Sequence, residues 1–219
     1  MKKTTLSLIL APILALSFLL FKINEKPYSV IDEKAMQEIS SEIHITVGQD
    51  TFLDPRGFSQ EVSNAMLTEG VWQLSPFGPI WAGDIFKKEF TLLIDSNGGS
   101  VDVMFQILDS MAELQKRGIS FKCYIANAHS AAFTFAVSVC SKAILLRGGQ
   151  MSQHHAYRRG FGITNDSYLI SLNMAKKEAE ALLMDYREWM KITRKGNDDK
   201  IFSVEELKKY NIIQKVYGE

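Results

Sequence analysis

The stretch from residue 90 to residue 154 constrains the fold of this 219-residue chain most, because apolar runs of strand length alternate there with helix-period segments. Residues 90–94 form a mostly apolar run closed by Asp95-Ser96-Asn97-Gly98-Gly99, a strand entering a tight turn. Apolar residues then recur at 101, 104, 105, 107, 108, 111 and 114, one face of a helix, and Gly118 stands where a C-terminal cap belongs. A strand over 120–126, an apolar helix from 131 to 140 and strands over 143–146 and 151–154 follow, with Gly148-Gly149 read as a turn between the last two. Strand, helix, strand, helix, strand at these intervals predicts an α/β fold of stacked βαβ units on a largely parallel sheet.

The flanks carry weaker signals. Residues 31–39 have a weak helical pattern, residues 42–47 (EIHITV) alternate as a half-buried strand does, and residues 60–68 are helix-compatible within a turn-rich region. Residues 165–193 read as one long amphipathic helix. Ser203, three residues before Glu206, has the spacing of a capping box opening a short C-terminal helix.

At the N-terminus, Lys2 and Lys3 precede an uncharged, Leu-rich run over residues 6–21 that ends at Lys22. Such a segment is a targeting element, slightly shorter than the ~20 residues of a spanning helix. The expectation is an uncleaved anchor helix within residues 1–26, holding an exported domain of residues 27–219 at a membrane. Secretion after cleavage near Ala15-Leu16-Ser17 is the alternative. Basic and acidic residues balance at 25 each, so no overall field attracts nucleic acid. Cys123 and Cys140 do not make a metal site; both lie in apolar stretches and read as buried small side chains, with a bridge between them left open. No metal or cofactor is expected.

Four short segments carry candidate chemistry, and each has an ordinary local explanation. Gly98-Gly99 lets a backbone turn sharply and bare its N–H groups, but any β-to-α turn uses such a pair. Ser130, between small residues where strand becomes helix, is either a nucleophile beside free helix N–H groups or only an N-cap. His154 and His155 at a strand end are suited to take a proton, or are surface residues. Asp198 and Asp199, near the C-terminal helix, are a candidate imidazole partner or solvated charge.

Taken together, these segments resemble one family. From about residue 90 to residue 216 the chain is similar to ClpP, the Clp proteolytic subunit, and more broadly to the ClpP/crotonase superfamily. Leu93-Ile94-Asp95-Ser96-Asn97-Gly98-Gly99 resembles the family's I-N-S-P-G-G turn, and residues 126–131 its G-x-A-x-S-M segment. Residues 151–156 resemble V-M-I-H-Q-P, and Asp199-Lys200-Ile201-Phe202-Ser203 with the following Glu205-Glu206-Leu207 resembles D-R-F-L-S-A-x-E-A. Asn97 stands for the turn proline and Ala126 for the opening glycine; neither change removes a catalytic atom.

The resemblance implies a serine endopeptidase with Ser130 as nucleophile, His154 as base and Asp199 as orienting acid. It further implies the backbone N–H groups of Gly99 and Ala131 as an oxyanion hole, with His155 as the alternative base. Its implied substrate is a peptide or unfolded protein, which residues 158–163 could bind as an added strand. It also implies a homo-oligomer, built through the long helix. An exported domain would work without an ATP-driven AAA+ partner. Two other readings stay open: a serine–lysine enzyme like signal peptide peptidase A, drawing on Lys142, Lys176 or Lys177, and a scaffold that keeps the fold without catalysis.

Overall fold

A computed structural model describes residues 33–75, 78–81, 88–157, 164–195 and 198–219. The expected anchor over residues 1–26 and the expected substrate-pairing strand over 158–163 lie outside the described residues. In chain order the elements are α1 (Glu33–Ile39), β1 (Ile45–Val47), α2 (Arg56–Thr68), β2 (Trp72–Ser75), β3 (Gly78–Trp81) and β4 (Lys88–Ser96). Then come α3 (Val101–Lys116), β5 (Ile119–His129), α4 (Ala131–Val139), β6 (Lys142–Gln153), α5 (Asn165–Leu182) and α6 (Tyr186–Thr193). The chain closes with β7 (Lys200–Ile201), α7 (Val204–Lys209) and β8 (Lys215–Val216).

The main sheet has the order β1-β4-β5-β6-β7, with β8 also paired to β6. All pairings in it are parallel except β6 with β7. Burial on both faces explains why its strands read as near-continuous apolar runs. Leu92, Cys123 and Leu145 join the main core on one face. The register partners Leu93, Tyr124 and Ile144 join a smaller cluster on the other, covered by Ile39 at the end of α1. β2 and β3 form a separate antiparallel pair.

Three expectations are corrected. Gly148-Gly149 is not a turn between two strands, because β6 runs unbroken through it. The register passes from Ile125↔Leu145 to Asn127↔Gln150, so the extra residues of β6 bulge outward. Gly149 makes this possible, since a Cβ there would lie 2.6 Å from the Ala126 carbonyl oxygen and 2.9 Å from that of Ile125. The long helix is two helices: Leu183 takes a left-handed conformation (φ 54°) that ends α5, and the Asp185 carboxylate caps α6 by accepting from the N–H groups of Arg187 and Glu188. The cysteines, read first as buried small side chains with a bridge left open, form a disulfide between β5 and the residue that ends α4. The capping box of Ser203 and Glu206 forms as its spacing predicts.

The core around α4 is aromatic. Phe133 stacks on Phe202 and Trp189, and Phe135 meets Phe52 and Phe58 edge to face. Seven of the nine residues of α4 are buried. Among the described residues, no helix is long and apolar enough to cross a membrane.

Candidate active site

β4, β5 and β6 are parallel neighbours, so their carboxyl ends lie side by side, where open α/β sheets place their sites. β4 runs into Asn97-Gly98-Gly99, β5 into Ser130 and β6 into His154. Three of the four segments singled out in the sequence therefore converge through sheet order alone.

Ser130 sits at the sharp corner between β5 and α4 with φ 55° and ψ −119°. A non-glycine residue in that region carries strain of about 1–3 kcal/mol and is held there by its surroundings. Those surroundings are specific. The Ser130 N–H donates to the Ser152 carbonyl at 3.0 Å, and its own carbonyl accepts from the N–H of Thr134 and the side chain of Gln153. The Ser130 hydroxyl makes no capping bond, so the N-cap reading of this serine is set aside. Gly98 (φ +86°) lies against the corner: a Cβ there would come within 2.6 Å of the His129 carbonyl oxygen, 2.8 Å of the Ala131 nitrogen and 3.0 Å of Ser130 Cβ. Among the described residues, no hydrogen bond engages the N–H of Gly99 or of Ala131. The latter is an orphan donor of the first turn of α4.

His154 is half-buried and its Nδ1 lies 2.5 Å from the backbone carbonyl oxygen of His155. A carbonyl only accepts, so the bond puts the proton on Nδ1 and leaves Nε2 with a lone pair in the neutral ring. His155 differs. Its Nε2 donates to the Arg194 carbonyl at 2.8 Å, its ring stacks on Tyr168, and its Nδ1 is buried with no partner among the described residues. Burial pushes the His155 imidazole below its ordinary pKa, opposed by the Arg194 carbonyl. Among the described residues, no hydrogen bond joins Ser130 Oγ to either imidazole.

Asp199 is exposed and immediately precedes β7. The antiparallel register runs Ser152↔Ile201, then Gln153↔Lys200, so His154 and Asp199 are the chain neighbours of the last registered pair. Asp198 is also exposed. Lys142, at the opposite end of β6, pairs in register with Lys122. Lys177 is ion-paired with Glu180, and Lys176 lies over the Tyr186 ring.

The sequence reading missed a buried polar cluster under this corner. Glu178 and Arg194 form an ion pair with both side chains fully buried. The carboxylate also accepts from Thr134 Oγ1, Gln153 Nε2 and Trp189 Nε1, each at 2.6 Å. A signal was present: Ser171, Met174, Ala175 and Ala179 mark the buried stripe of α5, and Glu178 falls within it. A charge at a core position calls for partners, which helix periodicity alone does not name.

The profile of the Clp protease family matches residues 83–219. A solved structure of ClpP1 from Listeria monocytogenes, in a point-mutant form, superposes with a TM-score of 0.56 at 17% identity. That superposition covers 84% of this chain and 96% of the other. No curated protein matches the chain significantly. A family profile spanning more than half of the sequence, on a fold shared with a ClpP, makes this chain a member of the Clp protease family of serine peptidases.

Proposed function

We propose that the chain hydrolyses peptide bonds with Ser130 as nucleophile, His154 as general base and Asp199 as the acid that steadies the imidazolium. The observation that carries this reading is the Ser130 corner: a strained serine whose hydroxyl caps nothing, pressed against Gly98 and followed by an unengaged helix N–H. Ser130 Oγ attacks the carbonyl carbon while His154 Nε2 takes its proton, and the N–H groups of Gly99 and Ala131 receive the developing oxyanion. His154 returns the proton to the leaving amine, and water then releases the acyl group by the same route. His154 is preferred over His155 because its Nδ1–H is already directed at a carbonyl, whereas His155 is held by Arg194 and Tyr168. Asp199 enters when the ring becomes charged, as catalytic bonds tighten in the bound complex. The place of Lys142 at the opposite end of β6 and the engagement of Lys176 and Lys177 elsewhere disfavour a serine–lysine site.

The setting is proposed as membrane-tethered and exported, through residues 1–26, and independent of an ATP-driven unfoldase. The bridge between Cys123 and Cys140 supports it, because such bonds persist in oxidising compartments. Self-association is part of the proposal and draws support from Tyr168, Leu169 and Leu183, large side chains exposed on and just after α5.

A fluorophosphonate probe applied to the full-length protein should label Ser130, and Ser130→Ala should abolish labelling. Equal labelling of the two proteins would sink the proposal. A folded wild type that does not label at all would favour the non-catalytic scaffold.

A further inference from the structure

Beneath the Ser130 corner lies an amide that no step of this reaction uses. Gln153 is fully buried at the end of β6. Its Oε1 accepts the N–H of His154 at 3.0 Å. Its Nε2 lies 3.3 Å from the Ser130 carbonyl oxygen, 3.0 Å from Thr134 Oγ1 on α4 and 2.6 Å from Glu178 Oε1. Two N–H hydrogens face three acceptors, so one serves Glu178 and the other is shared between Thr134 and Ser130.

The anchor beyond the amide is rigid for a physical reason. Glu178 receives five donors, including both terminal nitrogens of Arg194 at 2.8 and 3.0 Å. A buried carboxylate satisfied in this way has one orientation available. Space alone would be filled more cheaply there by an apolar side chain, because a buried amide is tolerated only when bonded.

We propose that Gln153 is a positioning residue: anchored on the Glu178–Arg194 pair, its side chain sets the Ser130 peptide and the His154 peptide at the separation the reaction needs. The inference rests on the Ser130–His154 reading above. It assigns Gln153 no contact with substrate; its effect passes through the two residues it holds.

The test compares the full-length protein with Gln153→Met, which keeps the volume close and leaves Glu178 paired with Arg194. Two quantities are measured: the rate of fluorophosphonate labelling at Ser130, and amide hydrogen exchange along the chain. Labelling should slow by on the order of a hundredfold, the scale of an ångström-sized misplacement. Protection should be lost at the His154 amide while the amides of β4 keep theirs. A second variant, Gln153→Glu, regains an acceptor and a donor only when its carboxyl is protonated. Its labelling relative to wild type should therefore rise as pH falls, which a space-filling role would not produce. Labelling of Gln153→Met within twofold of wild type, unchanged exchange at His154, or a flat pH ratio for Gln153→Glu would each overturn the assignment. If the wild type itself fails to label, the peptidase reading falls, and the positioning of the two peptides is decided by the exchange data alone.

Discussion

At the scale of single residues, the site depends on how closely two backbones approach. Gly98 meets Ser130 and Ala131 at distances that leave no room for a methyl group, and its φ of +86° adds strain for any other residue. Gly98→Ala is expected to cost about 2 kcal/mol or more, because both overpacking and a positive φ act against it. Gly70→Ala is the control: φ is +69°, nothing lies within 4 Å, and a cost of about 1 kcal/mol is expected. Chemical denaturation of both variants measures the difference, and equal midpoints would show that the corner yields. Fluorophosphonate labelling should fall in Gly98→Ala and not in Gly70→Ala. The sequence showed this pair of glycines as an ordinary turn; the neighbour that gives it meaning lies on another strand.

Among the elements, β5 and α4 are the pair on which the nucleophile stands, and the Cys123–Cys140 bridge closes the segment of chain that contains Ser130. A loop of about this length contributes about 3 kcal/mol when crosslinked, mainly by limiting the unfolded chain. The double variant Cys123→Ala, Cys140→Ala should lose about that much in denaturant unfolding, and wild type under reductant should lose a similar amount. A difference below about 0.5 kcal/mol between oxidised and reduced protein would contradict the bridge's role. The elements themselves were largely legible. Strand runs and helix periodicity located β4, α3, β5 and α4, and the Ser203 capping box located α7. The breaks were less legible. Leu183 ends α5 although leucine has no local preference for a left-handed turn, and Gly149 marks a bulge that reads as a turn until the neighbouring carbonyls are in view.

For the whole molecule, residues 1–26 and the Cys123–Cys140 bridge bear on where the domain works. The proposal of an exported, anchored enzyme predicts that the full-length chain sediments with bacterial membranes and that Cys123 and Cys140 resist alkylation until reduced. Removal of residues 1–26 should leave protein in the soluble fraction with both thiols alkylated. A full-length chain found soluble and reduced would reverse the assignment. Because the family's signature residues are local strings, the sequence by itself determined the succession of βαβ units, the family, the candidate nucleophile and the pair of histidines from which the candidate base comes. It could not show that Ser130 is strained and uncapped, which of two histidines has a free Nε2, or that Glu178 and Arg194 lie buried behind Gln153. Those properties arise where β4, β5 and β6 end side by side and α5 closes over them. A bond, a tautomer or a buried charge is a relation between groups distant in the chain, and only folding sets that distance.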